Sequence, residues 1–231
     1  TSIGDSAFFN CTGLTNISIP KSVTSIGNGA FSICTGLTSI NIPENVTSIG
    51  NGAFQRCSNL ASINIPDGVK SIGDNAFDSC NKLASITIPK SVTSIGSGVF
   101  DRCVKLTEVL LEGGSTLTSG QLGVDASIIK TYWNEGDLTW TLTADGTMTI
   151  SGEGEMKNYS IGDSPAYCNE NIKKVVIQNG VTSIGNNAFS GCSSLTDITI
   201  PSSVTSIGAW AFQNCTGLTS IKIPESITSI E

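Results

Sequence analysis

The sequence predicts a solenoid of stacked coils, mainly β, interrupted once by a small β-hairpin insert. The first observation behind this prediction is a period of 23 residues, most visible in Gly4, Gly27, Gly50, Gly73 and Gly96. The second is composition: only 13% of the residues are charged and 6% aromatic, while Ile, Val and Leu dominate the apolar set, which favours strands over helical bundles. The third is a single break in the period, filled by a different, alternating pattern.

The same period orders nearly every structurally distinctive residue. Seven of the eight Phe and six of the seven Pro fall in repeat columns. The columns contain Phe8, Phe31, Phe54, Phe77, Phe100, Phe189 and Phe212, then Cys11, Cys34, Cys57, Cys80, Cys103, Cys192 and Cys215, then Pro20, Pro43, Pro66, Pro89, Pro201 and Pro224. Coils of equal length stack like residue on like residue. We therefore expect Phe31, Phe54 and Phe77 to form one buried internal row.

One unit, residues 24–46, shows how a coil folds. Ile40 points inward from an extended segment that ends at Pro43, because proline cannot donate to a sheet ladder. Gly27 is expected to allow the sharp turn after a second short extended stretch, and Phe31 then plugs the interior through a tight helical or irregular turn. Burying a side chain contributes roughly 1.5–3 kcal/mol, whereas ordering each residue costs about 1–2 kcal/mol. A lone coil should therefore be unfolded, and only stacked neighbours complete its core and its strand hydrogen bonds.

The repeat resembles the BspA-like leucine-rich repeat. The resemblance lies in the phrase Ile-Pro-x-x-Val-Thr-Ser-Ile-Gly-x-x-Ala-Phe-x-x-Cys-x-x-Leu-Thr-x-Ile, which recurs seven times over residues 1–111 and 172–231. It implies a leucine-rich-repeat solenoid with a parallel sheet on its concave face and short strands and tight turns elsewhere. It also implies a location at the cell surface or secretion, and binding of extracellular or host-cell proteins.

The break divides the chain into three predicted segments. Residues 1–111 form a first array, residues 112–171 a β-rich insert, and residues 172–231 a second array. Within the insert, alternating apolar residues on both sides of Asp145-Gly146 predict a β-hairpin with one apolar face. The run from Trp140 to Met156 resembles a hairpin module of the same family, with Ala166 where that module has an aromatic residue. The sequence leaves open whether the hairpin caps the first array or projects from it.

Charge and hydropathy exclude several partners. The net charge of −7 and the lack of a basic run argue against nucleic acid, which requires clustered Lys and Arg. No segment approaches the roughly 20 consecutive apolar residues of a membrane span, so no membrane insertion is expected. Because the chain begins and ends within a repeat, we expect it to be a piece of a longer protein whose signal and anchor lie elsewhere.

Candidate chemistry is weak. Stacked cysteines lie about 4.8 Å apart with parallel side chains, which suits a buried column of free thiols better than disulfides, with Cys168 outside the column and exposed. No cofactor or metal site is expected, since histidine and Cys-x-x-Cys are absent, and the missing histidine also excludes Ser-His and Cys-His catalysis. A pair of insert carboxylates could in principle hydrolyse glycosides, but acids at turns are ordinary in β modules. We expect no enzyme.

The candidate binding face consists of outward side chains on the main strands. They are small and nearly uncharged, and Trp210 is a separate candidate aromatic contact for which local packing is the favoured alternative. The candidate face residues are Asn16, Ser18, Ser39, Asn41, Ser62, Asn64, Ser85, Thr87, Asp197, Thr199, Ser220 and Lys222.

Three functions fit this sequence. The favoured one is a protein-binding or adhesion module that uses the repeat-built face. The alternative is a structural spacer, or stalk, within a larger surface protein, and for it the same face is simply solvated. A third hypothesis treats the Thr and Ser columns as a flat surface that orders water or glycans, similar to ice-binding solenoids, and a thermal hysteresis measurement would test it.

Overall fold

The computed structural model describes residues 1–231. It shows two compact units, Thr1–Ile129 and Lys130–Glu231. Residues 112–171, predicted as one insert, therefore contribute to both units. The division into two arrays and a separate insert stays a prediction about domain organisation.

The first unit is built from short strands joined by tight turns. Its strands are β1 (Ser2–Ile3), β2 (Ser25–Ile26), β3 (Ser39–Asn41), β4 (Ser48–Ile49), β5 (Ser62–Asn64), β6 (Ser71–Ile72), β7 (Ser85–Ile88), β8 (Ser94–Ile95) and β9 (Glu108–Glu112). One parallel sheet has the order β1-β2-β4-β6-β8, and a second contains β3, β5, β7 and β9. Paired residues are one repeat apart, as in Ser25↔Ser48 and Ser39↔Ser62. The predicted mainly-β, parallel solenoid is confirmed.

The phenylalanine column forms the centre of this unit. Neighbouring rings from Phe8 through Phe31, Phe54 and Phe77 to Phe100 stack nearly parallel, with centroids 5.1–5.9 Å apart. Phe31, Phe54 and Phe77 are fully buried. The expected internal row is therefore present, and the 23-residue period produces it because each coil places its ring above the previous one.

The expected role of Gly27 is wrong. Gly27 and Gly50 do not adopt a left-handed conformation; the glycine two positions later does, with φ of +57° at Gly52. At Gly50 the constraint is close approach, since a Cβ would lie 2.7 Å from the backbone N of Asn28 and 2.7 Å from the carbonyl carbon of Gly27. The column glycine therefore lets one coil stack on the next, and its neighbour makes the turn.

The first unit ends in two short helices. Helix α1 (Ser119–Leu122) begins at a capping box in which Thr118 and Gln121 satisfy each other's backbone N–H groups. A 3-10 turn at Ala126–Ile128 follows, capped by Asp125. Leu117 and Leu122 are buried in the core of the first unit. Val124, Ile128 and Ile129 also pack against that core, so this segment belongs to the first unit.

The second unit combines an antiparallel meander with parallel coils. Its strands are β10 (Ile129–Glu135), β11 (Leu138–Thr143), β12 (Thr147–Gly152), β13 (Gly154–Glu155), β14 (Lys174–Ile177), β15 (Val181–Ile184), β16 (Asp197–Thr199), β17 (Ser206–Ile207) and β18 (Ser229–Ile230). Strands β10, β11 and β12 pair antiparallel, and β12 then pairs parallel with β14, and β14 with β16. A second parallel sheet has the order β13-β15-β17-β18. Within this unit the β11–β12 hairpin is thus a direct lateral extension of the repeat sheet.

Candidate functional site

In the first unit the candidate face is an in-register set of polar side chains. Ser39 lies opposite Ser62, Asn41 opposite Asn64, and Asn64 opposite Thr87. The side chains alternate strictly with buried isoleucines, for example Ile40 between Ser39 and Asn41. Strand pairing fixes the spacing at about 4.8 Å between neighbouring coils. The structure therefore gathers the Ser and Asn side chains predicted on β3, β5 and β7 into two rows.

On β9, the last strand of the first unit, both rows end in side chains of a different chemical type. Ser85 pairs with Glu108, and Thr87 pairs with Leu110. A face that is uncharged over β3, β5 and β7 thus gains a carboxylate and an apolar side chain on β9. Asn16 and Ser18 are exposed, but their segment lies outside any strand. Only the rows from Ser39 and Asn41 onward are fixed by sheet hydrogen bonds.

In the second unit the predicted residues lie beside others that the prediction omits. Asp197 and Thr199 occupy the exposed positions of β16. Their partners on β14 are Lys174 and Val176, and the Lys174 ammonium lies 2.9 Å from the Asp197 carboxylate. The sequence could have predicted these two outward positions. Val175 and Ile177 point inward, so residues 174 and 176 lie on the opposite side of the strand.

The hairpin also contributes outward hydroxyl groups. On β11 and β12, Leu138, Trp140, Met148 and Ile150 are buried while the intervening residues are half-buried. Across strands, Thr139 pairs with Ser151 and Thr141 with Thr149, and Thr149 in turn pairs with Val176. The predicted face omits these residues because the prediction treats the insert as separate from the sheet.

Ser220 and Lys222 are exposed but lie outside the sheet. Their segment forms no strand with β16. Lys222 instead lines a groove against β16 together with Asp197, Thr199 and Glu225. These two candidates are therefore near the polar face of the second unit without sharing its register.

Trp210 is exposed and has an unusual backbone conformation. Its side chain is 62% exposed, and its φ of +55° lies in the left-handed region. A bulky residue rarely adopts this conformation. The equivalent positions in the other coils also have positive φ, and they hold smaller residues, namely Ser6, Gly29, Gly52, Asn75, Gly98 and Asn187.

The cysteine column is buried for six of its members. Each thiol donates a hydrogen bond to a main-chain carbonyl of the preceding coil, with Sγ–O distances of 3.1–3.3 Å. Burial raises the pKa of Cys57 to about 12 and that of Cys103 to about 11. Cys57 and Cys103 therefore stay protonated at neutral pH. Cys168 is exposed as expected, and Cys11 is also exposed because no earlier coil of this chain stacks against it.

Two of the insert carboxylates, Asp145 and Glu135, are engaged in local structure. Asp145 accepts hydrogen bonds from the hydroxyl of Thr143 and the backbone N–H of Thr147, which hold the pKa of the Asp145 carboxyl below its ordinary value. Glu135 forms an ion pair with Lys157. No group of three or more His, Cys, Asp or Glu side chains is placed to hold a metal ion. None of the helices has the length and apolar character needed to cross a bilayer.

Together, the stacked 23-residue coils, the parallel pairing of their strands and the alternating polar face define a leucine-rich-repeat solenoid protein. The chain belongs to the BspA type leucine rich repeat family, whose repeat region matches in six copies over residues 1–120 and 160–231.

Solved leucine-rich-repeat proteins of bacteria are similar to this chain. A leucine rich cell surface protein from Faecalibacterium prausnitzii is 29% identical, with a TM-score of 0.41 over 100% of this chain and 66% of that protein. A leucine-rich repeat protein from Bacteroides ovatus is 26% identical, with a TM-score of 0.38 over 99% and 69%. A leucine rich repeat protein from T. pallidum is 24% identical, with a TM-score of 0.42 over 88% and 77%. The search of curated proteins found no match.

Proposed function

We propose that the chain is a protein-binding or adhesion module that presents the outward side chains of its repeat sheets to another protein. The observation that supports this is the in-register exposure of Ser39, Asn41, Ser62 and Asn64 on consecutive strands. Burial of the isoleucines between them fixes the outward direction of these polar side chains. Their hydroxyl and amide groups are therefore not needed to maintain the rows and can bond to a partner.

The chemistry of these rows suits a protein surface. Amide and hydroxyl groups can both donate and accept, and they form many individually weak hydrogen bonds, directly or through water. The first unit offers an uncharged field that ends at Glu108. The polar face of the second unit carries an ion pair of its own, Lys174–Asp197. Charges at the border of an uncharged field set orientation and rate of association more than affinity.

We place the proposed partners outside the cell, as extracellular or host-cell proteins, and the chain itself at the cell surface or in the secreted fraction. Support comes from the family and from the Faecalibacterium prausnitzii protein, which is described as a cell surface protein. The proposal includes neither an enzymatic role nor a nucleic-acid partner.

A structural spacer is the second candidate, and hydrogen bonds between coils favour it. Backbone N–H groups of Asn28, Asn51 and Asp74 donate to the side-chain oxygen of the equivalent residue one coil earlier, at 2.7–2.9 Å. Threonine hydroxyls such as that of Thr47 donate to the equivalent carbonyl in the same way. Such ladders stiffen each unit along its stacking direction, as a stalk requires.

One pair of matched variants separates the two functions. Asn41→Lys with Asn64→Lys adds two charges to the candidate face, whereas Thr24→Lys with Thr93→Lys adds two charges to the column that already contains Lys70. Binding is measured against a panel of purified extracellular matrix and cell-surface proteins. A loss of about tenfold or more in the face variant alone, equal to roughly 1.4 kcal/mol, supports the binding module. Equal binding by both variants, or none by the unmodified chain, supports the spacer.

A further inference from the structure

Three Asn-Gly dipeptides occur in the chain, and the structure places them in two different environments. They are Asn28-Gly29, Asn51-Gly52 and Asn179-Gly180. Asn-Gly is prone to spontaneous deamidation because glycine has no side chain to hinder attack by its own backbone nitrogen. In this reaction the glycine nitrogen loses its proton to solvent base and bonds to the asparagine Cγ, and the Cγ–Nδ2 bond breaks with release of ammonia. Water then opens the cyclic imide to aspartate or isoaspartate.

The first two dipeptides are locked by the stacking of coils. The Gly29 backbone N–H donates to the carbonyl of Asn51 at 2.8 Å, and the Gly52 N–H donates to the carbonyl of Asp74 at 2.7 Å. The attacking nitrogen is therefore already bonded to the next coil. The asparagine side chains are held as well, because Asn28 Oδ1 accepts from the Asn51 N–H and Asn51 Oδ1 accepts from the Asp74 N–H.

Asn179-Gly180 lacks both restraints. It forms the two-residue turn between β14, which ends at Ile177 and is followed by Gln178, and β15, which begins at Val181; Asn179 is exposed and Gly180 half-buried. Neither the Asn179 side chain nor the Gly180 N–H takes part in a hydrogen bond. The only bond across the turn, from the Val181 N–H to the Gln178 carbonyl, is long at 3.4 Å. The Gly180 carbonyl accepts from the Gly154 N–H at 2.9 Å, but the attacking nitrogen of Gly180 and the Asn179 amide carry no hydrogen bond that must break before they react.

We infer that Asn179 is a selective site of spontaneous deamidation, while Asn28 and Asn51 are protected by the repeat stack. The reaction adds a carboxylate beside Glu153, whose side chain lies against Gly180. The isoaspartate product also lengthens the backbone of the turn by one atom. The second unit would therefore gain negative charge, and a perturbed β14–β15 connection, slowly and irreversibly after synthesis.

The test compares the three sites in the folded and unfolded chain. The full chain is incubated in mildly alkaline buffer with and without urea, and each Asn-Gly peptide is quantified by mass spectrometry after digestion. In urea all three sites should react at similar rates. In the folded chain Asn28 and Asn51 should react at least about tenfold more slowly than in urea, because attack requires local opening of the stack. Asn179 should keep a rate within about threefold of its unfolded rate, since no opening is needed there.

Charge variants give an independent readout. Isoelectric focusing of the aged folded chain should show a more acidic species that disappears in Asn179→Gln and persists in Asn28→Gln. An intact Asn179 after the unfolded chain has reacted overturns the inference, as does equal loss of all three amides in the folded chain.

Discussion

Trp140 lies against Phe189 with ring centroids 5.3 Å apart and an interplanar angle of 39°. Phe189 stacks on Phe212 in the next coil, but the equivalent position of the preceding coil is Ala166, so no phenylalanine is available there. The hairpin side chain supplies the missing ring. Tyr159 meets Trp140 edge to face at 6.0 Å and closes the same cluster. The core of the second unit thus continues from the repeat into the hairpin.

Trp140→Ala should destabilise the second unit strongly. Trp140 is fully buried, and removing a buried aromatic side chain costs about 3–5 kcal/mol in lost burial and cavity formation. Trp140→Phe should cost less, because it keeps a ring and removes an indole N–H that has no hydrogen-bond partner. Urea denaturation followed by circular dichroism measures the change. Trp210→Ala is the matched control and should stay within about 0.5 kcal/mol, since that side chain is largely exposed. Equal losses in the two alanine variants would contradict the assigned packing.

Thiol reactivity should divide the eight cysteines into two groups. A neutral alkylating reagent should modify Cys11 and Cys168 in the folded chain, because these two are exposed, and all eight in denaturant. The buried thiols react slowly because they are inaccessible, and at Cys57, Cys80 and Cys103 also because burial raises the thiol pKa. Peptide mapping after alkylation identifies the modified residues. Fast labelling of Cys57 or Cys80 without denaturant is inconsistent with the buried column.

The raised pKa of Cys57 also predicts that the free energy of unfolding decreases at alkaline pH. The ordinary thiol pKa is 9.0, and the folded value for Cys57 is about 12. The folded state therefore keeps a proton that the unfolded state releases. This contribution to the free energy of unfolding is complete below pH 9.0 and is lost as the pH rises toward 12. Denaturation curves across this range should show falling midpoints, and Cys57→Val should reduce the slope relative to the unmodified chain.

Because of Asp78, the first unit should lose stability against unfolding at acidic pH. The Asp78 side chain is fully buried, and that burial alone would raise its pKa. Hydrogen bonds from Gln55, Arg102 and Ser79 outweigh that effect and hold the pKa of Asp78 below 3.8. Arg102 provides two of them, at 2.9 and 2.7 Å. The resulting stabilisation is present above the unfolded pKa and is lost as the pH falls through the lower folded pKa.

Asp78→Asn tests this network. It should lower the free energy of unfolding by roughly 1–3 kcal/mol near neutral pH, because charged hydrogen bonds become neutral ones and one acceptor becomes a donor. The difference from the unmodified chain should shrink as the pH falls below 3.8. Asp101→Asn is the control, since Asp101 occupies the same column one coil later and is exposed. A difference independent of pH would show that the carboxylate charge is unimportant.

The contrast between Phe54 and Trp140 shows what the sequence could predict. Phe54 belongs to a column, and equal coil lengths place every member of a column directly above the last, so the period alone predicts its contacts. The same holds for Ser62 and Asn64, whose outward direction follows from alternation. Trp140 has no equivalent in other coils, and only the folded chain brings it against Phe189. The partners of Asp78 follow the period, since Gln55 lies in the same column one coil earlier and Arg102 in the column of Ser79. Asp78 was missed because these columns do not repeat the same residues in other coils.

Substituting Trp210 distinguishes the two roles that the sequence leaves open for its side chain, namely contact with a partner protein and local packing. The left-handed conformation costs a non-glycine residue about 1–2 kcal/mol, and glycine occupies the equivalent position at Gly29, Gly52 and Gly98. If Trp210 contributes little packing, Trp210→Gly should raise the free energy of unfolding by roughly 1 kcal/mol. Trp210→Asn should gain less, matching the asparagine at Asn187. A stabilised variant that also loses binding to an extracellular protein would identify Trp210 as a contact residue retained despite strain. A destabilised glycine variant with unchanged binding would show instead that the indole packs locally, and would remove Trp210 from the proposed surface.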